Sequence, residues 1–510
     1  MDLKHQIGQH IIIGFQASEM DEDFISAVKN YKIGNVILFA RNITSKAQIN
    51  KLVKDIYNLI EKEVGVIPFI TIDQEGGMVT RLSDDCVNIP GAMALSATNN
   101  EEYIRRSTQI NCKQLRELGI NCNLAPVLDV NCNKDNPVIG VRSYSDNPEK
   151  VANIATTIIN TYEENNLLCV GKHFPGHGDT NLDSHLTLPT VDKDLESLKK
   201  MELLPFKVAI EKGLPAIMTS HIIYPSLEKE AIPATMSKAI ITDLLRDEMG
   251  FEGLVFSDDM EMNAIKNYYG TAKGVIESLK AGADLMFVSH HPKTAIEVCE
   301  EIYKAYENNE FDNRMWENSL KRILLFKESY AKIKNIEPIT EEDRKYNRQI
   351  KEASISLYKG TPYKFKDKPL FISPNLFQAT NVSNNFTSLS FSKEISKYFN
   401  REYLICSSNP DKEEIEKLVV DVKNMGITDL IFGVYNSHLY KGQEMLIREL
   451  KTNDIPLTVV ALRNPYDLKN LDDISDLSIA AYEYTKESIE IIARILKEEI
   501  PLTGKIPVSM

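Results

Sequence analysis

The sequence has no run of basic residues, and its acidic residues outnumber its basic ones. There are 59 lysines and arginines against 73 aspartates and glutamates, so the formal net charge is −14. A chain with this charge has no general attraction for the nucleic-acid backbone or for an anionic membrane surface. We therefore expect neither nucleic acid nor a membrane among its partners.

Paired cysteines and long apolar stretches are also missing. The seven cysteines include no CxxC pair, and the regular spacing of Cys112, Cys122 and Cys132 matches no zinc site. This pattern predicts free thiols in a reducing compartment. The apolar run beside His10 is shorter than the core of a signal peptide, and no apolar stretch reaches the roughly 18 residues of a membrane span. We therefore predict a cytoplasmic protein.

What is present is a long chain with a regular alternation of patterns. Its 510 residues exceed one ordinary domain. Between about residues 10 and 290, short runs rich in Val, Ile and Phe alternate with amphipathic segments of helical spacing. The eight runs are HIIIGF, NVILFA, IPFITID, NCNLAPVLD, LLCVGKHF, PAIMTSHI, GLVFSD and ADLMFVS. Eight strands with intervening helices favour a (β/α)8 TIM-like barrel over an open doubly wound sheet.

A second α/β unit follows the barrel. Residues 300–335 predict a helix, and a polar connection over 336–352 then enters another helix. Five further apolar runs alternate with helical segments, namely KPLFISP, EYLICSS, DLIFGVYN, LTVVALRN and LSIAAYEY. We predict a barrel domain over 1–335, a linker over 336–352 and a three-layer αβα sandwich over 353–510.

Ionisable side chains stand where the predicted barrel strands end, which is where such barrels form their active sites. They are Asp73, Asp129, Lys172, His173, His221, Asp258 and His290. A ring of such groups around one mouth predicts a catalytic site. In the second unit, Asn436 and Arg463 also lie at strand ends, and the sequence alone assigns neither a role.

The densest polar segment is KHFPGHGDTNLDSHLTLP, residues 172–189. Asp183 lies two residues before His185, close enough for its carboxylate to orient the imidazole and raise its basicity. That pair predicts a proton shuttle. A plain hydrogen-bonded loop is one alternative, and a cation site is another, although HExxH spacing is absent. The ligands of such a cation would be His173, His177 and His185 with Asp179 or Asp183.

The segment GFEGLVFSDDMEM supplies a carboxylate for the same pocket. Adjacent residues on a strand point to opposite sides, so only one of Asp258 and Asp259 faces the mouth. We expect it to be Asp258, and Asp259 to cap the next helix. One pocket carboxylate with one proton shuttle is the minimum for a double displacement at a sugar acetal.

These segments together resemble glycoside hydrolase family 3, and in particular its β-N-acetylglucosaminidase branch. The matching barrel segments occur in the family's order: ITIDQEGGMVTRL, NLAPVLDV, GVRSYSDNP, KHFPGHGDTNLDSH, MTSHIIYP and FEGLVFSDDMEM. The second unit matches the family's αβα domain at ALRNPYDL, AAYEYTKESIEIIARIL and IPLTGKIPVSM. The resemblance therefore covers nearly the whole chain.

The resemblance implies a role for each matching residue. Asp258 takes the position of the nucleophile, His185 that of the acid/base, and Asp183 that of its orienting partner. Five further residues take sugar-binding positions: Asp73, Arg81, Arg142, Lys172 and His173. A carboxylate accepts hydroxyl hydrogen bonds, whereas Lys and Arg donate them. For Arg81 and Arg142, a buried salt bridge that orients Asp73 or Asp258 is an alternative and compatible role.

The resemblance implies a retaining exo-β-N-acetylglucosaminidase that acts on N-acetylglucosaminides, such as muropeptide fragments of peptidoglycan, as a monomer without a metal or another cofactor. A phosphorylase of the same family is the nearest alternative, because a histidine in the acid/base role repels an incoming phosphate less than a carboxylate does. A sugar-binding protein without turnover and a metal-dependent hydrolase are the other two.

Overall fold

The first eight strands close into a parallel barrel. The computed structural model describes residues 1–180, 188–375, 389–451 and 454–510. The strands are β1 (Ile11–Ile13), β2 (Asn35–Leu38), β3 (Phe69–Ile72), β4 (Cys122–Asn123), β5 (Leu168–Phe174), β6 (Ala216–Thr219), β7 (Leu254–Asp259) and β8 (Leu285–Val288). Each pairs with the next, and β8 pairs with β1 to complete the ring. The predicted barrel and its eight strands are confirmed.

Helices surround the barrel because their apolar residues recur at helical spacing. The longest, Lys46–Val64, buries Ile49, Val53 and Ile56, begins at the cap Ser45 and ends at Gly65 in the left-handed conformation. The barrel helices are α1 (Leu3–His10), α2 (Glu22–Tyr31), α3 (Lys46–Val64), α4 (Ala92–Ala97), α5 (Glu101–Glu117), α6 (Pro148–Glu164), α7 (Leu195–Lys200), α8 (Leu203–Glu211), α9 (Asn263–Lys266), α10 (Thr271–Lys280), α11 (Pro292–Glu307) and α12 (Asn313–Phe326), with a π-helix at Ala239–Glu248.

The single helix predicted over 300–335 is wrong. Two helices, α11 and α12, meet at a break over residues 308–312. Asn309 adopts a positive φ of 59° there, a conformation that asparagine tolerates and that ends a helix.

The second domain is built on a six-stranded mixed sheet flanked by helices, as predicted. Its strands are β9 (Ser356–Lys359), β10 (Pro369–Pro374), β11 (Tyr403–Cys406), β12 (Asp429–Val434), β13 (Leu457–Ala461) and β14 (Leu477–Ala480), in the order β11-β10-β12-β13-β14-β9. Its helices are α13 (Glu341–Ser354), α14 (Phe391–Phe399), α15 (Lys412–Met425), α16 (Gly442–Leu450) and α17 (Lys486–Leu496). The prediction missed β9, which pairs antiparallel with β14 at the edge.

The second domain lies against loops at the carboxyl-terminal mouth of the barrel. Met78, which follows β3, and Val141, which follows β4, belong to the hydrophobic cluster of the second domain. Ser145 donates a hydrogen bond from Oγ to the carbonyl of Pro507 at 2.7 Å. Glu483, just after β14, accepts the backbone N–H of Gly91 at 2.5 Å. The carboxyl ends of both sets of parallel strands therefore approach the same junction.

All seven cysteines lie in the described part of the chain, and all are free thiols, as predicted. Among the described helices, none combines the length and the apolar character needed to cross a membrane.

Candidate active site

Four charged side chains form a continuous network at the barrel mouth. The Nζ of Lys172 lies 2.7 Å from Oδ1 of Asp73 and 2.7 Å from Oε1 of Glu75. Arg142 grips the same Glu75 with two parallel hydrogen bonds, from Nε at 2.9 Å and from Nη2 at 2.8 Å. The network joins the end of β3, strand β5 and the loop after β4, so it fixes three parts of the mouth relative to one another.

Mutual pairing keeps these buried groups ionised. Burial alone would raise the pKa of Glu75, but the charges and hydrogen bonds of Arg142 and Lys172 hold it below its ordinary value. Burial would lower the pKa of Lys172, and Asp73 and Glu75 raise it above the ordinary value. The Asp73 side chain is 16% exposed and that of Glu75 is 6% exposed. Asp73 is thus the carboxylate of the pair that is more open to a ligand.

Sequence reasoning missed Glu75. Its position two residues after Asp73, in the segment TIDQEGG, was the available signal, since alternate residues leave a strand on the same side. The salt bridge expected for Arg142 exists, but its partner is Glu75 and not Asp73 or Asp258. Arg81 lies beside Asp73, with Nη2 4.0 Å from Oδ2.

Gln74 fixes the loop that carries these carboxylates. Its Oε1 accepts the backbone N–H of Arg81 at 2.8 Å, and its Nε2 donates to the hydroxyl of Thr80 at 2.5 Å. Its backbone N–H donates to Oδ1 of Asn123 in β4 at 3.0 Å. The loop is therefore tied both to itself and to the neighbouring strand.

His173 is oriented by a buried carboxylate. Oδ2 of Asp129 lies 2.7 Å from Nδ1 of His173, and Oδ1 accepts the backbone N–H of His177 at 2.6 Å. Burial opposes ionisation of Asp129, yet the two histidines hold its pKa below the ordinary value. Because the charged Asp129 takes the Nδ1 proton of His173, Nε2 is the ring nitrogen left for a ligand. Burial lowers the pKa of His177 to about 4, so this ring is neutral at neutral pH.

The predicted acid/base pair, Asp183 and His185, lies outside the described residues, which stop at Thr180 and resume at Leu188. The segment before this gap is well anchored. Asn136 donates from Nδ2 to the carbonyls of His177 at 2.9 Å and Gly178 at 3.0 Å. Asn136 thereby ties this segment to the loop that leads to Arg142.

Lys193 joins the two sides of the same segment. Its Nζ lies 2.8 Å from Oδ2 of Asp179 and 2.5 Å from Oε1 of Glu202. Cys132 is the fourth member of this group, with its thiol 3.7 Å from the ammonium. Cys132, Asp179 and Glu202 also have the spacing of cation ligands, but Lys193 already supplies the positive charge at their centre. The geometry therefore gives no support to the metal alternative through Asp179.

Asp258 and Asp259 end β7 and make different contacts. Oδ1 of Asp258 accepts the backbone N–H of Asp259 at 2.8 Å, and its side chain is partly exposed at the mouth. Oδ2 of Asp259 lies 3.0 Å from Nε2 of His290, while its backbone carbonyl contacts Nε2 of His221 at 2.9 Å. The expected helix cap at Asp259 is wrong, because α9 begins after Met262. Asp259 instead binds the ends of neighbouring strands together.

Comparison with known families gives the decisive observation. The model of the glycosyl hydrolase family 3 N-terminal domain matches residues 2–326, which is the whole barrel. The chain belongs to glycosyl hydrolase family 3. Its family 3 relatives include a protein from Pseudoalteromonas piscicida named beta-hexosaminidase A, which is 36% identical over 322 residues. That match covers 59% of this chain and 54% of the relative, so it spans about half of the relative's length.

Two further family 3 proteins extend the comparison. A beta-hexosaminidase from Nitrosomonas eutropha is 33% identical over 272 residues, 52% of this chain and 76% of the relative. The solved structure of a family 3 beta-N-acetylglucosaminidase from Paenibacillus sp. str. FPU-7 is 33% identical, with a TM-score of 0.90. That likeness covers 100% of this chain and 99% of the Paenibacillus chain, so both proteins have the barrel and the second domain.

Proposed function

We propose that this protein is a retaining exo-β-N-acetylglucosaminidase. The observation that carries the proposal is the ordered network of Asp73, Lys172, Glu75 and Arg142 at the same barrel mouth as Asp258. A fixed set of donors and acceptors of this kind suits the hydroxyl groups of a sugar ring. The similarity in fold to the Paenibacillus enzyme over both domains supports the choice of sugar.

In the proposed reaction, the carboxylate of Asp258 attacks the anomeric carbon and the bond to the leaving oxygen breaks. His185, oriented by Asp183, gives its proton to that oxygen, and a covalent glycosyl-enzyme forms. Water then attacks the anomeric carbon, His185 takes the proton from the water, and the ester to Asp258 is released. Asp73, Lys172, Arg142 and His173 hold the ring, and Arg81 supports Asp73.

We further propose that the natural substrates are muropeptide fragments of peptidoglycan and that the reaction takes place in the cytoplasm. The seven free thiols support a reducing compartment. Phosphorolysis is the alternative for the second step. The reason is electrostatic, because a neutral imidazole in the acid/base position repels phosphate less than a carboxylate would.

The test is hydrolysis of 4-nitrophenyl N-acetyl-β-glucosaminide in phosphate and in phosphate-free buffer, with the products identified by NMR. We expect free N-acetylglucosamine in both buffers, with Asp258→Asn reducing kcat by several orders of magnitude. Asp55→Asn is the matched control, because Asp55 lies on the exposed face of α3 and pairs only with Lys51 among the described residues. Full activity in Asp258→Asn would refute the mechanism, and N-acetylglucosamine 1-phosphate as product would identify a phosphorylase.

A further inference from the structure

Arg463 has an unusual environment for a charged side chain. It follows β13 at the junction of the two domains and is 1% exposed. Its Nη1 donates to Oδ1 of Asn436 at 3.3 Å. Its Nε and Nη2 have no hydrogen-bond partner in the described part of the chain. Buried guanidinium donors normally find acceptors, because leaving them unpaired costs several kcal/mol.

The two unpartnered atoms form one edge of the guanidinium plane. The same edge of Arg142, Nε with Nη2, holds both oxygens of the Glu75 carboxylate. Two parallel donors on one edge match the two oxygens of a carboxylate or a phosphate. Arg142 therefore shows within this protein what the corresponding edge of Arg463 can bind.

The groups around Arg463 add further unused hydrogen-bonding capacity. Asn464 donates from Nδ2 to Oδ1 of Asn436 at 3.1 Å, while its own Oδ1 has no partner among the described residues. His438 contacts Oδ1 of Asp467 through Nδ1 at 2.6 Å, which leaves Nε2 buried and unpaired within the same part of the chain. Asp467 is the nearby carboxylate, and one of its oxygens is thus already engaged by His438.

This group of residues adjoins the loop that carries Arg142. Asn464 packs so closely on Gly140 that a β-carbon at that position would lie 2.7 Å from Oδ1 of Asn464. Burial is the main cause that lowers the pKa of Arg463, and the positive charge of Arg142 lowers it further. An anion between the loop and Arg463 would relieve both effects.

We propose that Arg463, with Asn436, Asn464 and His438, forms an oxyanion-binding site at the domain junction next to the sugar-binding network. The ligand is a carboxylate or a phosphate. It comes either from the aglycone of the substrate or from inorganic phosphate as acceptor. The site deepens the proposed function, on which these two sources rest, but anion binding itself requires no turnover.

The first experiment measures binding of inorganic phosphate and of acetate to the whole protein by isothermal titration calorimetry. We expect saturable binding of at least one of them to the wild type. Arg463→Lys keeps the charge and loses the planar edge, so its affinity should fall about tenfold or more. Arg463→Gln should fall further, and Arg401→Gln, at an exposed arginine of the same domain, should bind as the wild type does.

Kinetics distinguish the two sources. If the anion belongs to the aglycone, Arg463→Gln lowers kcat/KM for a 4-carboxyphenyl N-acetyl-β-glucosaminide by tenfold or more and spares the 4-carbamoylphenyl analogue. If the anion is the acceptor, the variant loses the stimulation of turnover by phosphate. A wild type that binds phosphate without turning over any glycoside would refute the proposed function and leave the anion site standing.

Diffraction provides a measurement that does not depend on the folding of any variant. Crystals of the wild type grown in selenate should show anomalous density beside Nε and Nη2 of Arg463. Water alone at that edge, or no saturable binding of either anion to the wild type, would overturn the proposal. Equal affinity in a folded Arg463→Gln would also overturn it.

Discussion

Replacement of Glu75 by glutamine tests the charge network most directly. The change keeps the shape of the side chain and removes the negative charge that Lys172 and Arg142 share at 2.7 to 2.9 Å. The new amide group also presents a donor to two cations. Removal of one partner from a buried ion pair costs about 3–5 kcal/mol, because the remaining charge is left uncompensated. We expect Glu75→Gln to lower the free energy of unfolding by about that amount at pH 7.

The pH dependence gives a second signature. The pKa of Glu75 lies below its ordinary value of 4.5 in the folded protein. Its contribution to stability is therefore complete above the unfolded pKa and is lost as the pH falls through the folded pKa. The difference in stability between wild type and variant should be constant from pH 6 to 8 and should shrink below about pH 4.

Urea denaturation followed by tryptophan fluorescence measures this difference in the barrel itself. The chain has one tryptophan, Trp316, which is buried in α12. Glu310→Gln is the matched control, because Glu310 is exposed and pairs with Lys280 at the surface, where ion pairs contribute little. If Glu75→Gln unfolds within about 1 kcal/mol of the wild type, the network is not the buried, mutually dependent unit described above.

Two further predictions concern the lysines. Lys193→Met leaves Asp179 and the buried Glu202 without their shared cation, so it should lower the free energy of unfolding by about 1–3 kcal/mol, whereas Lys193→Arg should restore most of the loss. Equal stabilities in urea for Lys193→Met and the wild type would contradict this. Lys327 donates to Gln9 and to the carbonyl of Gly34, and burial lowers its pKa to about 7. Because the unfolded chain binds this proton more tightly, the stability of the wild type relative to Lys327→Met should rise between pH 7 and 10, at a slope approaching about 1.4 kcal/mol per pH unit. A difference independent of pH, measured in urea at pH 7 and 9, would refute the lowered pKa.

The sequence was informative wherever one local pattern decided the structure. The eight barrel strands are runs of branched apolar residues buried on both faces, so their composition alone identified them. The edge strand β9 was missed because Ser356–Lys359 is short and is buried fully only at Ser356. The break before α12 was missed because a positive φ at one asparagine leaves little trace in the spacing of apolar residues.

The candidate site shows the limit of such reasoning more sharply. The motifs contained Asp73, Lys172 and Arg142, but the choice of Glu75 as the shared partner depends on how β3, β5 and the loop after β4 meet in space. Arg142 is 67 residues from Glu75 along the chain, and Lys172 is 99 residues from Asp73. No local pattern encodes contacts at that separation, so the partner of a buried charge had to be found in the structure.

The close contact between Gly140 and Asn464 limits how this protein can change. Gly140 has a positive φ of 46°, and Asn464 fills the space that any side chain at position 140 would need. A substitution at one of these positions therefore has to be matched by a smaller residue at the other. A chimera that joins this barrel to the second domain of a distant relative would bring together two surfaces that were never fitted to each other. Inheritance of the two domains as a pair is the consequence.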